Sequence, residues 1–295
     1  MTLHEALHLT PVGDTDAFTP SLERPVRVRS RSMAADTHFE PHSHAWAQLA
    51  YCATGVVQVS ASQDGPAGGE ISYIVPPSRA VWIAPGAHHH ITVLEAAELR
   101  TLYIDASRAP GGWQGCRVIV VSPLLREAIH ALDSLDVPAG QLNGAPRERL
   151  LCALVLDEIT HADTQALGIA LPHPQTGDKR LRALCEAVLR SPSDRATLAE
   201  WATRTGASER TMARLFQAEL RLSYPQWRQQ AVLAHALPLL ARGSSVSAVA
   251  AASGYASDSA FSAMFKAAMG QPPSHFQNKK GLSRTVHERK QLSKP

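Results

Sequence analysis

From Val26 to about Ile104 hydrophobic and polar residues alternate in short runs: Gln48–Tyr51, Gly55–Ser60, Glu70–Val75, Ala80–Ala84, His90–Leu94 and Leu99–Ile104. Residues two apart in an extended chain face the same way, so each run predicts a half-buried strand. The spacing of about ten residues, with Gly65-Pro66-Ala67-Gly68-Gly69 and Ala84-Pro85-Gly86 as turns, predicts a small antiparallel barrel or sandwich. After Gly111-Gly112 the period becomes helical. Leu125, Ile129 and Leu132 mark a helix over Pro123–Asp136, and Leu150, Leu151, Leu154, Val155 and Ile159 mark one over Arg147–His161. Their apolar faces either cover the barrel or form a subunit interface. Thr164–Gly177, with Pro172 and Pro174, reads as a linker.

Beyond the linker the periodicity is helical throughout, and it repeats. Leu198, Ala202, Gly206, Ser208, Met212, Leu215 and Phe216 recur as Val246, Ala250, Gly254, Ser257, Phe261, Met264 and Phe265. The match has one extra residue inside the turn of the second copy. A small Ala where helices cross, Gly at the turn and a Ser N-cap opening the next helix describe a helix-turn-helix. Asp178–Leu189 packs before the first copy, and Tyr224–Arg242 joins the two as one helix, with a kink expected at Pro238. A rod of that length would set two reading helices about one DNA turn apart, roughly 34 Å. Residues 1–25 read as a flexible leader and 278–295 as a basic, disordered tail.

Charge sharpens the division. Residues 1–174 hold 11 Lys/Arg against 18 Asp/Glu, a net −7; residues 175–295 hold 18 against 8, a net +10. A basic helical half points to phosphate-bearing partners. With 295 residues the chain has room for about two domains. Nothing in it reads as a signal peptide, and no apolar run reaches the ~18 residues a membrane span needs. Cys52, Cys116, Cys152 and Cys185 lack CxxC spacing and read as reduced thiols of a cytoplasmic protein.

The first copy's second helix, Glu209–Leu220, buries Met212, Leu215, Phe216 and Leu220 and leaves Arg210, Thr211, Arg214 and Gln217 outward behind the Ser208 cap. Arg210 and Arg214 lie on one side, where a guanidinium fork suits a guanine edge; phosphate contact and plain solvation are the competing roles. In the second copy Ser257 caps Asp258–Met269, with Asp258, Ser259, Ser262 and Ala263 outward and Lys266 suited to a phosphate. That helix positions more than it specifies.

A separate cluster, His42-Ser43-His44-Ala45-Trp46-Ala47-Gln48, precedes Ala84-Pro85-Gly86-Ala87-His88-His89-His90. His42 and His44 share a face of extended chain, Gln48 joins it if the strand begins nearby, and the Pro-Gly turn delivers a further imidazole. Three imidazoles and one amide oxygen can ligate a borderline divalent metal. Equally, the histidines can bond an organic effector, or one another, without metal. Trp46, Tyr51, Trp82 and Tyr103 either line a pocket or pack the core.

The run Gly254-Tyr255-Ala256-Ser257-Asp258-Ser259-Ala260-Phe261-Ser262-Ala263-Met264-Phe265-Lys266, followed by Gly270 and Pro272-Pro273, resembles the signature of AraC-type transcription regulators over about residues 178–277. The resemblance implies an all-helical domain with two helix-turn-helices that binds double-stranded promoter DNA. Many members carry Arg where this chain has Ala263. The histidine segments resemble the two motifs of the cupin superfamily over about residues 26–105. By that register His42, His44, Gln48 and His89 are the metal positions for Zn, Ni, Co, Fe or Mn, with Gln48 replacing the usual Glu.

The expected fold is therefore α+β: a cupin-like antiparallel β-barrel over 26–110, a helical packing or dimerisation region over 111–163, a linker over 164–177, and an all-α double helix-turn-helix domain over 178–277. The expected function is a DNA-binding transcription regulator of the cytoplasm, homodimeric and without enzymatic activity, whose barrel senses a small molecule or metal ion. Two rivals stand beside it. One is a metal-dependent cupin enzyme with a DNA-binding appendage, against which Gln48 in the carboxylate position argues. The other is a constitutive DNA-binding protein whose barrel only dimerises.

Overall fold

The computed structural model describes residues 9–62, 70–135, 146–165, 167–173 and 175–277; the Gly65–Gly69 turn and the tail from 278 lie outside them. The chain divides into two compact units, Met1–Asp64 with Ile71–Gly168, and Ile169–Pro295 with Gly65–Glu70. Among the described residues no helix is long and apolar enough to cross a membrane.

The first unit holds β1 (Leu9–Thr10), β2 (Val26–Met33), β3 (His38–Phe39), β4 (Ala47–Ser62), β5 (Glu70–Val75), β6 (Arg79–Ile83), β7 (His89–Ile104), β8 (Cys116–Val120) and β9 (Thr164–Gln165). They pair in the order β1-β3-β7-β4-β6-β8-β9, with β2 also against β7 and β5 against β4. β7 is antiparallel to β2, β3 and β4, but β1 runs parallel to β3, so the sheet is mixed rather than wholly antiparallel.

Four of the expected strands fuse into two long ones. Gly55 does not end a strand; it sits at φ +79° inside β4, where the register against β7 slips between Cys52 and Val57. A Cβ there would collide with the Ala96 carbonyl. The residue is a bulge that bends both strands, which explains why its turn-like signal misleads.

The sheet has two chemically distinct faces. Val26, Ala47, Leu49, Tyr51, Ala80, Trp82, Leu102, Ile104 and Ile119 pack against α1 (Pro123–Asp133) and α2 (Pro146–His161), through Leu125, Ala128, Ile129, Leu132, Cys152, Val155 and Ile159. The alternate positions, among them Gln48, Val81, Ile83, Thr101 and Tyr103, point to the inner face, and Gln48 stands opposite both Tyr103 and Ile83. Tyr51 and Trp82, expected as possible pocket residues, therefore belong to the helix-facing core. One residue of parity separates them from Gln48 and Ile83.

Segments expected to be unstructured take part in both units. β1 belongs to the supposed leader, and the Val12 carbonyl accepts from Nη1 of both Arg29 and Arg31 at 3.3 and 3.2 Å. Within the supposed linker β9 pairs with β8, and Gly168–Leu171 forms β10. The Ala170 carbonyl accepts from Trp227 Nε1 at 2.7 Å, tying that end into the second unit.

The second unit consists of α3 (Lys179–Arg190), α4 (Leu198–Arg204), α5 (Glu209–Leu215) extended by a π-helical turn Phe216–Leu220, α6 (Tyr224–Ala241), α7 (Val246–Ala252) and α8 (Asp258–Met269). Each of the six is opened by a side-chain cap: Asp178, Thr197, Ser208, Ser223, Ser245 and Ser257. α6 runs on through Pro238 to Ala241. The duplicated sequence gives duplicated geometry. Gly206 and Gly254 are left-handed at φ +71° and +79°, and the following N–H groups, of Ala207 and Tyr255, each reach back to the buried Ala202 and Ala250 carbonyls at 2.8 Å.

Candidate functional site

In the first helix-turn-helix, Ser208 Oγ accepts from Thr211 N at 3.2 Å and also bonds Thr211 Oγ1 at 2.9 Å. Both hydroxyls are thus occupied in opening α5 rather than projecting from it. Met212 and Phe216 are fully buried, Phe216 lying 5.9 Å from the Trp227 ring. This anchors α5 so that Arg210, Arg214 and Gln217 are exposed, and among the described residues no carboxylate pairs with either arginine. In the second copy Phe261 and Phe265 are fully buried while Asp258, Ser259 and Lys266 are exposed and Ser262 is half-buried. Ser257 Oγ accepts from Ala260 N at 3.3 Å. The outward side of α8 therefore carries one acid at its start and one base near its end, a weaker electrostatic surface than α5. A cavity of about 480 Å³ flanks the N-terminal half of α6, lined by Arg195, Gln226, Arg228, Ser253, Tyr255 and Met264.

The second group of residues lies at one end of the sheet. Backbone hydrogen bonds in both directions between His42 and His89, each 2.9 Å, join the two histidine segments, and Gly86 N donates to the His44 carbonyl at 2.8 Å. The nitrogens of His42, His44 and His89 consequently come within 4.8 Å of one another. Each Nδ1 faces a backbone carbonyl: Glu40 at 2.8 Å, Trp46 at 2.7 Å and Ala87 at 2.9 Å. A carbonyl only accepts, so each Nδ1 carries the proton and each neutral ring offers its Nε2 lone pair. Sequence reasoning missed these three carbonyls, although each lies two residues from its histidine.

Gln48 is buried, and its Oε1 lies 2.8 Å from His44 Nε2. Two acceptors cannot bond each other. Three arrangements satisfy the pair: the amide is turned so that its NH₂ donates, a doubly protonated His44 donates its Nε2–H to Oε1, or both lone pairs point at a shared cation. His89 Nε2 is buried without a hydrogen-bond partner in the protein. Burial pushes the His89 imidazole down to about 3, and burial is also the main cause lowering His42, with His44 and Arg31 adding repulsion. Trp46 stacks on His44 with ring centroids 5.3 Å apart, and Tyr103 meets both edge-on at 5.9 and 6.2 Å. The structure thus brings together His42, His44, Gln48, His89, Trp46 and Tyr103. His88 is exposed and His90 half-buried, outside the cluster.

Two protein-family descriptions match the chain. The AraC-like ligand binding domain matches residues 24–218, and a helix-turn-helix domain matches residues 201–279. The HTH-type transcriptional regulator NimR of Escherichia coli K12 is 35% identical over 204 residues, 69% of this chain and 72% of NimR. The HTH-type transcriptional regulator RipA of Corynebacterium glutamicum is 32% identical over 103 residues, 35% of this chain and 31% of RipA. Among solved structures, a DNA-binding transcriptional dual regulator from Escherichia coli K-12 is 25% identical, covering 35% of this chain and 92% of its own, with a TM-score of 0.32. With a ligand-binding sheet domain ahead of a duplicated helix-turn-helix unit, the chain belongs to the AraC-type family of DNA-binding transcription regulators.

Proposed function

We propose that the chain is a cytoplasmic, effector-responsive regulator whose histidine cluster holds a divalent transition metal as part of the sensor site. The observation that carries this reading is the donor set: three imidazoles whose Nδ1 atoms face backbone carbonyls, a ring nitrogen of each within 4.8 Å of the others, and the Gln48 oxygen beside His44 Nε2. Backbone carbonyls that orient ligand imidazoles are a common outer layer of protein metal sites. Imidazole with a single oxygen donor suits Zn, Ni, Co or Fe, and less well Mn. Bound there, the ion would supply a positive charge and open coordination positions for an effector. His42, His44, Gln48 and His89 would hold it, and Trp46 and Tyr103 would wall the effector in.

Elemental analysis of the purified full chain tests this reading. About one equivalent of metal per chain is expected, lost in the His42→Ala/His44→Ala variant; metal-free protein, or equal content in both, contradicts it. A sensor rather than an enzyme is favoured because the Gln48 amide cannot act as a general base where a carboxylate usually stands. Arg210, Arg214, Gln217 and Lys266 are proposed as the promoter-contacting side chains.

A homodimer through the outer side of the helical layer is also proposed. Leu124 of α1 is 50% exposed and Leu150 of α2 is 73% exposed, while Cys152, Val155 and Ile159 on the other side of α2 are buried. Leu150→Glu is expected to shift sedimentation equilibrium from dimer to monomer. A wild-type monomer at micromolar concentration would rule the dimer out.

A further inference from the structure

The inner face of the sheet carries a second polar group besides the imidazoles. β2 reads Val-Arg-Val-Arg-Ser-Arg-Ser-Met, and its alternate positions separate cleanly. Val26 and Val28 pack toward α1 and α2, and Ser30 Oγ donates to Asp133 of α1 at 2.6 Å. Arg29 and Arg31 therefore project to the opposite, inner side. The register sets Arg29 beside Thr101 and Arg31 beside Leu99, on the same face as Tyr103.

Arg31 is poorly satisfied for a group withdrawn from water, and Arg29 beside it is half-buried. Among the described residues neither meets a carboxylate; the same Val12 carbonyl accepts from both. Arg31 lies 4.7 Å over the Phe39 ring and Arg29 5.4 Å over Phe18. Arg31 Nε, Thr101 Oγ1 and Trp46 Nε1 are all buried without a hydrogen-bond partner in the protein. Most buried polar groups find a partner; Arg31 and Thr101 lack one on neighbouring strands of one face and call for an acceptor there, while Trp82 Nε1 and Arg117 Nε are unpartnered elsewhere in the unit. Burial lowers Arg31 itself.

We infer that Arg29, Arg31 and Thr101 form the anion-recognising end of the effector site, and that the effector is a small organic carboxylate. The guanidinium fork matches a carboxylate in plane and charge, while the Phe39, Trp46 and Tyr103 rings offer surface to an organic body. A carboxylate would replace the shared Val12 carbonyl as acceptor, so that each guanidinium faces an opposite charge instead of a neutral oxygen. The inference rests on the barrel being an effector pocket; it does not require the metal.

The test uses the full chain in thermal-melt assays with benzoate and succinate, each beside its amide, benzamide or succinamide. At least one carboxylate raises the melting midpoint and its amide does not. Titration calorimetry on the Arg29→Gln/Arg31→Gln variant, checked for folding by circular dichroism, then shows that carboxylate binding about ten- to a hundredfold weaker. Arg31→Lys, which keeps the charge but not the fork, retains part of the affinity. Stabilisation by neither carboxylate, equal binding of an amide, or undiminished binding in the double variant overturns the inference. Metal content measured on the same samples separates the two readings: metal present without carboxylate binding sinks only this one, and loss of both sinks the sensor site as well.

Discussion

Replacing Arg210 and Arg214 together by Ala is expected to weaken binding to the duplex that the protein selects from a random pool by about 30-fold, and by at most about 25,000-fold. Each guanidinium reading a guanine edge is worth about 1–3 kcal/mol of discrimination, about 2–6 kcal/mol for two that read separate bases. Both side chains are exposed and neither supports the fold; the Ser208 cap and the buried Met212 and Phe216 are left untouched. The variant should therefore melt like the wild type. Fluorescence anisotropy on selected and scrambled duplexes distinguishes the roles. Base reading lowers the ratio of the two affinities, whereas phosphate neutralisation lowers both equally and reduces the salt slope by about 0.9 for each phosphate left without its arginine.

The metal-free protein should lose stability in its first unit as pH falls below about 6.5. His89 is neutral in the folded state down to about 3 because burial penalises its charged form. An unfolded imidazole takes up its proton near 6.5, so between those limits the unfolded state binds one more proton than the folded state. Stability is thus fully present above 6.5 and declines on acidification by up to about 1.4 kcal/mol per pH unit from this one group. His42, lowered in the same direction, adds to the slope. Urea denaturation after chelation, at pH 7 and pH 5, measures the effect. A His89→Gln variant should show a clearly shallower decline, and an unchanged slope in that variant would mean that other groups dominate.

Much of the molecule is legible in the sequence because its signals are local. Ser208 and Ser257 cap the helices that the repeat assigns to them, and Gly206 and Gly254 turn where the repeat places them, since capping and left-handed turns depend on a few adjacent residues. The approach of His42, His44 and His89 likewise rests on short-range features, a single bridge between His42 and His89 and a Pro-Gly turn, with His42 and His44 lying ahead of β4. What the sequence hides is long-range. Gly55 looks like a turn, yet the partner strand makes it a bulge. Tyr51 and Trp82 look like pocket aromatics, yet pairing with β7 and β8 assigns their side of the sheet to the helices. β2 does not stand out as a strand because arginines, rather than apolar residues, occupy its inner positions. The leader and linker read as loops by composition, and only their partners β3 and β8 give them structure.

The most direct test of the account asks whether the cationic C-terminal unit lays both of its second helices along the duplex. Dimethyl sulfate, which reports on guanine N7 in the major groove, should be excluded from two patches per bound chain, centred about ten base pairs apart. Protection of one patch alone, or of none while binding is saturated, would contradict the paired-helix reading.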